Sequence, residues 1–187
     1  MSAPVTTERS FAEQHAINCR AVERLWADPR YAQTDQTIET DRDGNPLMSP
    51  PPEWHHDIRK NRITVQLARL ISEGEALVET AVSTHAGVKV PDASWFSEER
   101  LRQRFEAAAD DRLTKIAPDL CVEVLSPDEE ETLKTKRAAY FGVGVREVWL
   151  CDLDGTMRFY GPEGRLERSK ICPDFPRRIS AEYRPGA

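Results

Sequence analysis

The sequence predicts a mixed α/β fold, an α+β layout whose core runs helix, strand, strand, strand, helix, strand behind an N-terminal helix and hairpin. Three observations carry this. Residues 117–152, APDLCVEVLSPDEEETLKTKRAAYFGVGVREVWLCD, read as a buried strand, a capped helix and a second buried strand. Before them, ALVETAVS and VKVPDASWF flank His85-Ala86-Gly87 as the arms of a hairpin. Before that, Ile63, Leu67, Leu70 and Ile71 recur at helical spacing. A disordered tail is expected over 1–9 and one domain over 10–187, with its core at about 53–160.

The elements follow in order. From Ser10 to Ala27 the stripe Phe11, His15, Cys19, Val22 and Trp26 predicts an amphipathic helix, ended by Asp28-Pro29. Thr37–Thr40 and Pro46–Ser49 flank the turn Asp41-Arg42-Asp43-Gly44-Asn45 as a hairpin, with Glu39 expected to face solvent. The prolines after Ser49 make a rigid connector. A helix from Glu53 to about Ser72 follows, stopped by Gly74. After the second hairpin, a charged helix is expected over Ser97–Ala109, with Leu101 and Phe105 inward. Ser126-Pro127-Asp128-Glu129 has the marks of a helix start, with Ser126 as N-cap and Glu129 closing a capping box. That role accounts for the acids at 128–131 without chemistry. Met157–Tyr160 is expected to form an edge hairpin, and the Pro/Gly/Arg-rich end a covering loop.

Composition narrows the function classes. Of the 187 residues, 31% are charged and 39% apolar, ordinary for a soluble globular chain. No apolar run reaches membrane-spanning length, and MSAPVTTERSFAEQH lacks a signal core, so a cytoplasmic protein away from membranes is expected. The four cysteines are scattered without a CxxC pair, which points to reduced, mostly buried thiols and away from zinc. A net charge of −6 argues against strong non-specific nucleic-acid binding.

The chemistry-bearing residues are acids on strands. Leu120, Val122 and Val124 alternate with Asp119, Cys121 and Glu123, so one strand face is apolar and the other carries both carboxylates. Asp92 lies in the preceding strand. If the two strands pair, Asp92 and Glu123 can stand opposite, with Cβ atoms about 5 Å apart. Such a pair suits Mg²⁺ or Mn²⁺, which would polarise a phosphodiester and lower the pKa of a water. A nearby lysine would stabilise the developing charge. Asp119 reads either as a supporting acid or as a residue at the start of its strand. From the residues alone, His55 and His56 are surface groups at a helix start.

The segments MSPPP followed by a histidine, GVKVPD, APDLCVEVLSP and KRAAYFGVGVREVWLCD together resemble the Uma-two family of the PD-(D/E)XK, restriction-endonuclease-like superfamily. The resemblance spans roughly residues 35–175. It implies a restriction-endonuclease-like fold, a Mg²⁺-dependent (or Mn²⁺-dependent) endonuclease acting as a hydrolase of phosphodiester bonds, and nucleic acid, DNA by expectation, as partner. By motif position it implies Asp92 and Glu123 as metal ligands. The superfamily's lysine two residues past the glutamate is replaced by Leu125. The family instead sets its lysine on the next helix, four residues before a tyrosine, which selects Lys136 over Lys134. A family histidine corresponds to His56 or, with a small shift, His55. Two other readings stand beside this one: an inactive nuclease-fold protein that binds nucleic acid or a protein partner, and a silent structural module. The strand at Met157–Tyr160, if an edge, would support a homodimer.

Overall fold

The computed structural model describes residues 9–32, 34, 36–49, 51–107, 113–126 and 130–183. In chain order the elements are α1 (Phe11–Ala27), α2 (Pro29–Ala32), β1 (Ile38–Thr40), β2 (Pro46–Met48), α3 (Trp54–Leu70), β3 (Gly74–Val78), β4 (Val82–Thr84), β5 (Gly87–Lys89), β6 (Ala93–Ser97), α4 (Glu98–Ala107), β7 (Leu120–Val124), α5 (Glu130–Phe141), β8 (Glu147–Cys151), β9 (Met157–Gly161) and β10 (Gly164–Leu166). From α3 onward, α3, β3, β6, β7, α5 and β8 reproduce the predicted helix–three strands–helix–strand core. The expected N-terminal helix and hairpin precede it.

Six strands form one sheet in the order β10-β9-β8-β7-β6-β3. All neighbours are antiparallel except β7 and β8, which run parallel because α5 carries the chain across between them. Every residue of β7 and β8 is buried, as expected for strands covered on both faces. On one face Ile63 and Leu67 of α3 pack against Leu120, Val122, Val124 and Trp149, with Phe175 and Ile179 of the C-terminal segment closing the cluster. On the other, Leu133 and Tyr140 of α5 pack against Cys121, Val148 and Leu150. The C-terminal segment is pinned by buried Glu147, which accepts hydrogen bonds from Ser169 Oγ, Lys170 N, Ile171 N and Trp149 Nε1 at 2.7–3.1 Å.

The second predicted hairpin is one ladder broken into two. β3 pairs with β6 in the main sheet and β4 pairs with β5 apart from it, in the same register. The break falls at 79–81 on one arm and 90–92 on the other. Glu79 there has φ 51°, the only non-glycine residue with positive φ among the described residues. Pro91 opposite has no N–H to give a ladder. The β4–β5 end swings onto α1 and β1. Gly87 permits this close approach: its φ is +101°, and a Cβ there would lie 2.3 Å from the carbonyl oxygens of Thr40 and Asp41.

Several expectations are corrected. α1 begins at the expected Ser10 cap, with Glu13 completing a capping box. Its buried side, however, is Gln14, Asn18, Ala21, Val22 and Leu25, and Trp26 is 58% exposed. The helix is rotated from the apolar stripe because its contact is polar: Gln14 Nε2 donates to Arg42 O at 2.7 Å, and Asn18 Nδ2 donates to Ser83 Oγ and Thr84 O at 2.9 Å. Phe105 points outward at 79% exposure. β9 is internal, since β10 pairs along its outer side; the sheet edges are β10 and β3. The expected cap at 127–129 lies outside the described residues.

Candidate active site

The break in the hairpin leaves Asp92 immediately before β6. Ala93 pairs with Val122, and continuing that antiparallel register by one residue sets Asp92 opposite Glu123 of β7. Asp92 Oδ2 accepts a hydrogen bond from Val124 N at 2.7 Å, which ties its carboxylate to the neighbouring strand. Glu123 is 4% exposed in the middle of a strand covered on both faces. Its partners come from α5. Lys136 and Tyr140 are four residues apart and therefore share a helix face. Lys136 Nζ donates to Glu123 Oε2 at 2.8 Å, and Tyr140 OH donates to Oε1 at 2.6 Å. Leu125, where the superfamily pattern has its lysine, packs instead against the α5-side core. An ammonium reaches the glutamate from the helix.

Glu39, expected in solvent, is buried in this cluster. Its Oε1 accepts from Val90 N at 2.9 Å and lies 2.8 Å from Lys136 Nζ; its Oε2 lies 3.7 Å from Lys89 Nζ. His56, in the first turn of α3, places Nε2 3.4 Å from Asp92 Oδ2, while His55 is exposed. The cleft lined by Glu39, His56, Asp92, Glu123 and Lys136 has a volume of about 380 Å³. It shares Thr37, Glu79 and Val90 with a larger cavity of about 710 Å³ under Trp26 and Tyr31. The smaller one gathers the buried ionisable groups.

Burial dominates the electrostatics. It pushes the Glu123 carboxyl up to about 7; the Lys136 charge opposes this, and Asp92 and Glu39 add to it. Burial would pull Lys136 down, but the two carboxylates outweigh it and hold the ammonium charged. For Lys89 burial prevails, helped by the charge of Lys136, and its pKa falls. His56 is lowered by burial and raised more by Asp92, so its net shift is upward.

Asp119, one residue before β7, is not brought into the cleft. Four residues at about 3.3 Å each separate it from Glu123 along the strand. It is buried at the opposite end, accepting from Ser97 N at 2.9 Å and facing Arg100 Nε at 3.3 Å and Arg146 NH1 at 3.4 Å. Asp119 thus joins α4 to the sheet. Arg100 is likewise committed, donating to Ala117 O and Gly144 O.

Asp92 and Glu123 offer hard carboxylate oxygens. Among the described residues no third His, Cys, Asp or Glu side chain joins them in a cluster able to hold a metal. Two carboxylates with water and substrate oxygens completing the shell is a usual Mg²⁺ arrangement. Burial raises the Glu123 pKa even with the Lys136 ammonium beside it. The residues fit such an ion.

Sequence reasoning missed Glu39, Lys89 and Tyr140 as members of the site. Tyr140 had a signal in its four-residue spacing from Lys136. Glu39 had none, because its hairpin meets the core only in the folded chain.

Comparison with known proteins agrees with this architecture. The crystal structure of a "putative nuclease belonging to DUF820" from Anabaena variabilis aligns with a TM-score of 0.63 at 19% identity, over 79% of this chain and 89% of that one. A likeness at that identity speaks for the fold. No curated protein matches the chain. Among the described residues no helix is long and apolar enough to cross a membrane. Residues 25–182 match the Uma2 family, described as "Putative restriction endonuclease". The match takes in the β1–β2 hairpin, both carboxylate strands and the lysine helix, and the chain belongs to the Uma2 family.

Proposed function

We propose that the protein is a divalent-metal-dependent endonuclease that hydrolyses phosphodiester bonds of DNA. The observation that carries this reading is buried Glu123, in one cleft with Asp92 and 2.8 Å from the Lys136 ammonium. The family's description and the nuclease named in the structural likeness support it.

In this reading Asp92 and Glu123 hold a Mg²⁺ or Mn²⁺ ion. The chemistry that ion supplies when bound is polarisation of the scissile phosphodiester and a lowered pKa for a water beside it. The chain's own groups do the rest. The Val124 N–H fixes the Asp92 carboxylate, and Tyr140 OH fixes that of Glu123. Lys136, held cationic, offers an N–H to a phosphoryl oxygen as negative charge builds. His56, with Nε2 3.4 Å from Asp92 Oδ2, orients that carboxylate.

The test is cleavage of supercoiled plasmid by the purified chain in Mg²⁺ and in Mn²⁺, beside Asp92→Asn, Glu123→Gln and Lys136→Met. Wild type should nick and linearise DNA, and each variant should be slower by about 100-fold or more. Equal background nicking by all four proteins would end the enzyme reading.

A further inference from the structure

One buried carboxylate of the cleft has no task in the reaction above. Glu39 comes from β1, outside the helix–three strands–helix–strand core, and it is 9% exposed. Its hairpin is seated by backbone contacts as well as by charge. Val88 N donates to Thr40 Oγ1 at 2.9 Å, Lys89 Nζ donates to Thr40 O at 2.9 Å, and Val90 N donates to Glu39 Oε1 at 2.9 Å. The glycine at 87 lets the two strands come this close. Glu39 is thereby held within 2.8 Å of Lys136 Nζ, nearer than the 3.7 Å to Lys89.

An ammonium has three N–H donors and no acceptor. In Lys136 two of them point to carboxylates on different elements, Glu39 of β1 and Glu123 of β7. Two fixed directions at a tetrahedral nitrogen determine the third. With Glu123 as the single anchor, a flexible four-carbon stem could swing the ammonium about one contact. With Glu39 as the second, the remaining N–H has one heading, and it is the donor left for an oxygen brought into the cleft.

We propose that Glu39 is a positioning residue for Lys136: the β1–β2 hairpin supplies a second carboxylate that aims the lysine's third N–H at the substrate phosphate. This rests on the nuclease reading above and makes the N-terminal hairpin a working part of the site. Glu39 acts through Lys136 and touches neither substrate nor metal.

Two measurements on the full chain test it. The first is plasmid cleavage in Mn²⁺ by Glu39→Gln. We expect kcat to fall by about 10- to 100-fold, the loss a misplaced catalytic group brings, with KM for DNA and the Mn²⁺ concentration for half-maximal rate unchanged. Combined with Lys136→Met, the Glu39→Gln change should cost nothing further. Losses that multiply in the double variant, an unaltered kcat, or a Mn²⁺ requirement raised as in Asp92→Asn would each overturn the proposal. The second needs no activity. The ¹⁵N signal of the Lys136 ammonium, assigned by its disappearance in Lys136→Met, should report a rigid group in wild type and a mobile one in Glu39→Gln. An unchanged signal overturns the assignment. If Glu39→Gln fails to fold, Glu39→Asp serves instead. It keeps the charge and withdraws it by one methylene, and it should show the same mobile ammonium. If wild type cuts no DNA, the nuclease reading has failed and the ammonium signal alone decides whether Glu39 holds Lys136.

Discussion

At the residue scale the site is a case of acids whose meaning depends on what faces them. Asp119 just before β7 and Glu123 within it are four residues apart, yet one holds a helix to the sheet and the other lines the cleft. Glu123 and His56 also set a pH signature. Both bind protons more tightly folded than unfolded, Glu123 at about 7 against 4.5 and His56 above 6.5. A raised folded-state pKa contributes stability that is complete below the unfolded value and is lost as pH climbs through the folded one. Glu13, Asp28, Asp41 and Asp154 are shifted the other way, and their contribution is already complete above about pH 5; His15, lowered by burial, opposes the trend only as pH rises towards 6.5. In EDTA the melting temperature should therefore fall from pH 5 to pH 8, and Glu123→Gln should flatten most of that slope. A wild-type profile that stays level or rises across this range would contradict the assignment. Alternation in CVEVL and the Pro91-Asp92 pair made Glu123 and Asp92 legible in the sequence. Lys136 was legible only through the family resemblance, whose pattern sets a lysine four residues before a tyrosine. Glu39 was not, since nothing within IET distinguishes an acid in water from one that meets two lysines.

At the scale of elements, the apolar signal held in part on α3, where Leu70 of the expected stripe is exposed at 43%, and failed for Phe105 on α4 and for the stripe on α1. The apolar spacing of Ile63 and Leu67 placed α3 on the sheet, and both are fully buried. The stripe on α1 was misplaced because that helix buries an amide pair, Gln14 and Asn18, which a search for apolar period reads as the outer face. The join between β6 and α4 gives a testable case. Asp119 receives the Ser97 N–H at the start of α4 and faces Arg100 and Arg146. Replacing it with alanine leaves the half-buried Ser97 N–H without its acceptor and removes the carboxylate from beside Arg100, which keeps its carbonyl acceptors. Asp119→Ala should lose about 2 kcal/mol of stability in urea unfolding and keep its plasmid cleavage at 25 °C. Abolished cleavage in a folded Asp119→Ala protein would return this acid to the site.

Across the whole molecule, the C-terminal segment completes the core on the α3 face, and Glu147 is the point at which it is tied. Four donors converge on that carboxylate, three of them from residues 169–171. Glu147→Ala strands the buried Trp149 Nε1 and Ser169 Oγ donors and frees two half-buried amides, and should cost about 3 kcal/mol. Limited proteolysis should then cut after residue 160 well before it cuts β7 or β8; equal resistance to wild type would show that apolar packing alone holds the segment. The family resemblance selected Asp92 and Lys136; the sequence by itself determined the core order of helices and strands and the strand face that carries Glu123. Each of these is written in a period of two or of about four residues, or in a turn a few residues long. Only the tertiary structure decided that Glu39 enters the cleft, that Asp119 leaves it and that β9 is covered by β10. A carboxylate's role and a strand's exposure depend on what the rest of the chain lays against them. Local periodicity records which side of an element is apolar, and is silent about which charge will be waiting there.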